Sequence, residues 1–239
     1  MIKIPSIQEL LQAGVHFGHR VSRWHPKTKE FIYTSRGGVH IIDLEKTQAK
    51  LKETLEYVRD LSARGGTILF LGTKHQASEI VKKYAIDCNT PYITSRWLGG
   101  TLTNFSAISA LVKHFQDLKA KQASGELAKY TKKEQADFAK EIEDLESKVG
   151  GIERMTRIPD AIFVVDLKKE KTAVAEAQVK KVPIIGLLDT NVNPSLIAHI
   201  IPSNDDAVKT IELMVKLVAD AVAEGQKLRE QRQAEAKAV

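Results

Sequence analysis

Thr67-Ile-Leu-Phe-Leu-Gly72 is a short apolar run stopped by glycine, and a helical pattern (Ala77, Ile80, Val81, Tyr84) follows it at once. The unit recurs. Ala161-Ile-Phe-Val-Val-Asp166 precedes an Ala-rich helical stretch near 171–180, and Pro183-Ile-Ile-Gly-Leu-Leu-Asp189 is a third run. Strands that read as continuous apolar runs are buried on both faces, and their alternation with helices predicts an α/β domain with a mostly parallel sheet. Pro91-Tyr-Ile-Thr94 and His199-Ile-Ile-Pro202 are weaker strand candidates. Ser203 or Asn204 can cap a closing helix that carries Val208, Ile211, Met214, Val215 and Val218.

Outward from this core the chain divides into four parts. Residues 1–42 form a basic, aromatic arm, and residues 43–103 with 152–224 form the α/β domain. Residues 104–151 form an inserted antiparallel coiled-coil hairpin, and residues 225–239 form a flexible polar tail. The hairpin rests on two apolar stripes at helical spacing, Ile108, Leu111, Phe115, Leu118 and Phe138, Ile142, Leu145, Val149, with Gly125 between them. Its dense outer charges favour a projecting hairpin over packing on the core.

The totals exclude several classes. No apolar run approaches the ~20 residues of a membrane span, and no secretory signal is visible at the start. The single cysteine, Cys88, forms no internal disulfide and reads as a core-edge thiol in a reducing, cytoplasmic setting. Lys and Arg outnumber Asp and Glu by 36 to 30, a mild pointer to a polyanionic partner.

Enzyme signatures are missing where an α/β sheet would place them. Gly72-Thr-Lys-His-Gln-Ala77 matches neither common phosphate-binding loop, and there is no G-x-S-x-G. Asp166 and Asp189 end their strands where α/β sites form, so a nucleotide-binding or hydrolytic enzyme around Gly72, Asp166 and Asp189 is the competing reading; loop capping is the simpler role for both. His16 and His19, with His25 and His40 nearby, lack a Cys partner or H-E-x-x-H, so no metal and no cofactor are assigned; a mixed site such as His16 with Asp189 or Asp205 is the alternative, ranked behind polar contacts to RNA or core packing.

Two segments carry the chemistry of nucleic-acid binding. The arm sets Arg20, Arg23, Lys27, Lys29 and Arg36 against Glu30 alone, interleaved with Trp24, His25, Phe31 and Tyr33 and followed by Gly37-Gly38. Cations neutralise phosphates, aromatic rings stack on unpaired bases, and glycines let amides approach an anion. A plain solvated basic surface fits the arm's composition equally. Arg96, Trp97, Gly99, Gly100, Thr101 and Asn104 repeat the pattern at the junction with the hairpin, where a hinge tryptophan is the competing reading.

These same stretches, notably Ala13-Gly-Val-His-Phe-Gly-His19, Arg36-Gly-Gly-Val-His-Ile-Ile-Asp43, Phe70-Leu-Gly-Thr-Lys74, Arg96-Trp-Leu-Gly-Gly-Thr-Leu-Thr-Asn104 and Asp189-Thr-Asn191, resemble ribosomal protein two of the bacterial small subunit, over nearly the whole chain. The resemblance implies a flavodoxin-like three-layer domain without a nucleotide and a coiled-coil insert. It further implies a non-enzymatic role bound to small-subunit ribosomal RNA, among other small-subunit proteins and in particular as a platform for the large ribosomal protein one. The arm and the Arg96–Asn104 segment are then the expected RNA-facing residues.

Overall fold

The computed structural model describes residues 4–238. The five expected strands, β4 (Ile68–Leu71), β5 (Tyr92–Ile93), β6 (Ala161–Val164), β7 (Ile184–Leu188) and β8 (His199–Pro202), form one parallel sheet in the order β5-β4-β6-β7-β8. Counted by their appearance in this sheet, that order is 2-1-3-4-5, which is the flavodoxin-like one. Every residue of β4, β6 and β7 is buried, which is why their sequences show no alternation.

The alternation is spatial instead. Ile68, Phe70, Phe163, Ile185 and Leu187 pack with Leu51, Leu55 and Val58 of α2 (Leu44–Ala63), Ala77, Val81 and Ala85 of α3 (His75–Asp87), and Ile211, Met214, Val215 and Val218 of α7 (Val208–Ala238). Leu69, Leu71, Ile162, Val164, Ile184 and Leu188 point to the other layer. There they meet Ala173, Val174 and Ala177 of α6 (Lys171–Val179), and also α4 (Phe105–Ala123) and α5 (Lys132–Val149).

That last contact corrects the expected insert. Of the eight stripe residues, Ile108, Phe115, Leu118, Leu145 and Val149 are buried, while Leu111, Phe138 and Ile142 are partly buried. All belong to the same apolar body as the sheet face. A nine-residue α6 is too short to cover five strands, so the root of the hairpin completes the layer. Residues 120–137, Leu127 apart, are exposed, so only the far end stands away from the domain.

The C-terminal expectation is also corrected. α7 runs through Gly225 to Ala238 rather than fraying after Gly225. A Cβ at Gly225 would lie 2.3 Å from the Arg59 carbonyl oxygen, so this glycine lets α7 cross α2 at backbone contact. Beyond it, Gln, Lys, Arg, Glu and Ala are good helix formers and carry the helix on. Of the two candidate caps before α7, Asn204 acts: its Oδ1 accepts from the amides of Asp206 (2.9 Å) and Ala207 (2.6 Å).

The basic, aromatic arm has regular structure of its own. After α1 (Ile7–Ala13), which opens with a Ser6/Glu9 capping box, β1 (Phe17–Arg20), β2 (Ile32–Arg36) and β3 (Val39–Ile42) form a small antiparallel sheet in the order β1-β3-β2. Gly37 and Gly38, at φ +59° and +76°, make the two-residue turn between β2 and β3. Gly-Gly between two short runs is a hairpin signal, so this turn is legible in the sequence itself.

Candidate nucleic-acid interface

The small sheet docks on the carboxyl end of the main sheet. The His25 amide donates to the Thr190 carbonyl (2.8 Å), the His19 amide to Thr190 Oγ1 (2.9 Å), and Asn204 Nδ2 to the Phe17 carbonyl (2.6 Å). Thr28, also buried, donates from Oγ1 to the same Thr190 carbonyl. The loops after β7 and β8 therefore hold the module, leaving its basic side chains outward.

Arg20, Arg23, Lys27, Lys29 and Arg36 are all exposed. Among the described residues, the side chains of Arg20, Arg23, Lys29 and Arg36 have no hydrogen bond or ion pair, and Lys27 Nζ donates to Ser195 Oγ (3.0 Å). Tyr33 is 76% exposed between them in the chain, a free stacking face. Gly37 and Gly38 have open space around them. Trp24 and His25 are half-buried: the Trp24 ring lies 5.2 Å from His40, and His25 Nδ1 accepts from the Lys27 amide.

The second segment divides. Arg96, Gly99 and Asn104 are exposed, whereas Trp97 and Thr101 are buried and Gly100 is partly buried, with polar groups of Trp97 and Gly100 already bonded within the protein. The Glu176 carboxylate of α6 gathers the loop. Its Oε1 accepts from Trp97 Nε1 (3.0 Å) and the Gly100 amide (2.8 Å). Its Oε2 accepts from the Leu102 amide (2.9 Å), the Thr103 amide (3.0 Å) and Thr103 Oγ1 (3.0 Å). Thr101 Oγ1 donates to the Leu98 carbonyl. The donors suited to a phosphate are thus bonded to an internal carboxylate. Burial pushes Glu176 up, but Trp97 and the amides of Thr103, Gly100 and Leu102 outweigh it and hold the carboxyl below its ordinary value. Nothing in the local sequence marks Glu176, because its partners lie over 70 residues away.

Gly100 sits at φ +94°, where a side chain is strained, and a Cβ there would be 3.3 Å from Asn104 Cβ. Gly100→Val is therefore expected to lower the stability of the free protein by about 1–3 kcal/mol. A melt of the isolated variant checks it; an unchanged melting temperature would show that the loop can reshape around Glu176.

The carboxyl end of the main sheet, where doubly wound folds take phosphates, is filled by the chain itself. Thr73, just beyond β4, donates its amide and hydroxyl to buried Glu170, whose carboxyl is raised by burial against the pull of those bonds. Lys74 Nζ lies 3.2 Å from Asp166, 3.2 Å from Asp205 and 2.6 Å from Asp206. Burial disfavours this ammonium, but the hydrogen bond to Asp206 and the charges of Asp205, Asp166 and Asp206 outweigh it and raise its pKa. Asp166 also accepts from the Lys169 amide (2.9 Å) and Asp189 from the Thr190 amide, so both serve as the loop caps expected of them. It is His19, rather than His16, that meets Asp189, with Nδ1 at 2.9 Å. Nitrogen and oxygen atoms of His19, Asp205 and Asp206 lie within 4.8 Å of one another, but the Lys74 ammonium already occupies the cation position beside both carboxylates, and we assign no metal there.

Against this geometry the family comparison is decisive: a family model described as ribosomal protein S2 matches residues 10–225. The chain belongs to the ribosomal protein S2 family. It is a structural protein of the small ribosomal subunit. The match takes in the small sheet, the hairpin and the α/β domain together, so the self-filled crevice lies in an S2-family chain. Cys88, the core-edge thiol, is buried and its pKa is pushed up to about 12, chiefly by burial, which makes it a poor nucleophile. Among the described residues, no helix is long and apolar enough to cross a membrane.

Proposed function

We propose that this S2-family chain binds small-subunit ribosomal RNA in the cytoplasm through the outer face of β1–β3, as a non-catalytic structural component without a cofactor. One observation carries this reading: four exposed cations stand with unpartnered side chains among the described residues of one module, Arg20 and Arg36 on its strands, Arg23 and Lys29 in the short helical turns that join β1 to β2, and the module also presents Tyr33. A solvated surface gains little from cations crowded without counter-charges, whereas a phosphate backbone neutralises them and releases counterions. Arg96, Gly99 and Asn104 belong to the same reading as outlying contacts. The platform for ribosomal protein one rests on the S2-family resemblance alone, and co-purification of the two proteins tests it.

Arg20→Ala, Arg23→Ala and Arg36→Ala are each expected to weaken binding to small-subunit RNA. Each should lower the slope of log K against log salt by about 0.7–0.9, the change for one phosphate no longer neutralised. Wild-type affinity and slope in all three would remove the small sheet from the RNA face. The competing enzyme reading is disfavoured by a specific observation: Glu170 occupies the Thr73 amide and hydroxyl at which a phosphate would bind. Nucleotides are accordingly expected to leave the melting temperature unchanged, and a shift of several degrees would revive that reading.

A further inference from the structure

Among the described residues, the attachment of the small sheet contains a histidine–carboxylate contact, His19 to Asp189, and it sits among more negative charge than positive. Facing His19 are Asp189 from the end of β7, Asp205 and Asp206 from beyond β8, and Lys74 from beyond β4; Asp166, beyond β6, stands behind Lys74. Asp189 is wholly buried and Asp205 is 2% exposed. Four carboxylates thus meet one ammonium and one imidazole. Buried carboxylates without enough counter-charge are costly, and a proton is the counter-charge always at hand. On its own module, His19 is flanked by exposed Arg20, and His16 and His40 belong to the same module.

We propose that this hub is a proton-operated latch: the small sheet is held to the carboxyl end of the main sheet most firmly when the His19 imidazole is charged, and it loosens as that proton is lost. His19 Nδ1 lies 2.9 Å from Asp189 Oδ1 and Nε2 lies 3.6 Å from Asp206 Oδ2, so a charged ring bridges the ends of two strands, and a neutral ring can donate to only one of them. The docking bonds through Thr190 and Asn204 join uncharged groups. The latch concerns how the basic face is held, whatever polyanion it meets.

The sign follows from His19, which meets its carboxylates only in the docked state. The hydrogen bond to Asp189, with the charges of Asp189, Asp205 and Asp206, raises His19 above its ordinary value against the opposing effect of burial. Asp205, pushed up to about 7 by burial and then by Asp189 and Asp166, keeps those neighbouring charges whether or not the small sheet is docked. Undocking separates His19 from these carboxylates, so the docked state holds a proton that the undocked chain releases. His19's contribution is therefore complete below the ordinary histidine value and is lost as pH rises through its raised value. His16 and His40, lowered by burial, act oppositely but only below the ordinary histidine value, so docking weakens from about pH 6.5 upward.

Amide hydrogen exchange of the full-length protein between pH 6.5 and 8.5 tests the latch at the His19 and His25 amides, both of which bond to Thr190. After correction for the intrinsic rate, protection at these two amides is expected to fall with pH, by up to about tenfold per unit for one linked proton, while amides of β6 hold level. In His19→Gln, which keeps a donor but cannot charge, protection is expected to be flat over the same range. Flat protection in the wild type, or an unchanged pH dependence in His19→Gln, overturns the proposal. Should His19→Gln fail to fold, direct titration of the wild-type His19 ring by NMR decides, and a midpoint at or below the ordinary histidine value overturns it as well.

Discussion

Glu176→Ala is expected to destabilise the protein by about 3–5 kcal/mol, lowering the melting temperature by on the order of 10 °C. The substitution removes one carboxylate and leaves five donors: Trp97 Nε1, the amides of Gly100, Leu102 and Thr103, and Thr103 Oγ1. Trp97 and the Leu102 side chain are buried in the same layer, so water can re-satisfy only part of the set. Each buried donor left without an acceptor costs about 1–3 kcal/mol, far more than the net gain from making one such bond. Glu176→Gln separates charge from shape. Its amide oxygen can replace one carboxylate oxygen and its nitrogen cannot accept, so roughly half the loss is expected. The depressed carboxyl adds a pH signature: its stabilisation is present above the ordinary carboxylate value and is lost as pH falls from there toward the depressed value. Melts of the wild type and both variants between pH 3 and 7 check this. An alanine variant as stable as wild type would mean that the loop holds its shape without its carboxylate.

Phe115→Ala is expected to cost about 3–5 kcal/mol, because the ring is fully buried in the layer that joins the hairpin root to the sheet. Phe138→Ala, on the same seam but only partly buried and packed edge-on to Tyr130 at 5.2 Å, is expected to cost less than half as much. The contrast follows from burial along the hairpin: Phe115 is fully buried, with the Lys119 ammonium 4.8 Å from its ring centre, whereas Phe138 is only partly buried and lies next to the exposed residues 128–137. Excising residues 104–150 should then abolish cooperative unfolding, since it uncovers Leu69, Leu71, Ile162 and Val164. Equal costs for the two substitutions, or a cooperative excised protein, would return the hairpin to the status of a separable arm.

The strands were legible because burial on both faces leaves no choice of residue: β4, β6 and β7 read as apolar runs, and parallel order follows from the helices between them. The helices of the hairpin were legible from their stripes for the same local reason. What those stripes pack against was not legible. A narrow stripe looks the same whether it faces a partner helix or a sheet, and the length of α6, which decides the matter, has meaning only once the sheet is assembled. Gly225 reads as a helix end because glycine disfavours helix interiors; the Arg59 carbonyl that makes glycine necessary there comes from another helix.

The candidate interface divides along the same line. Charge density, aromatic interleaving and the Gly37-Gly38 pair are local, and the sequence by itself determined a basic module with Arg20, Arg23, Lys29 and Arg36 outward, because long cations without a buried partner must stay in water. Only the tertiary structure decided which polar groups were already in use. Trp97, Gly100 and Thr101 offer the same donors in sequence whether or not Glu176 arrives to accept them, and Asp189 reads as a loop cap until His19 is brought 2.9 Å from it. Hydrogen bonds and ion pairs between residues 70 to 170 positions apart are fixed by the folding of the whole chain. Residue type alone supplies the donors and acceptors, and the fold determines which of them remain for RNA.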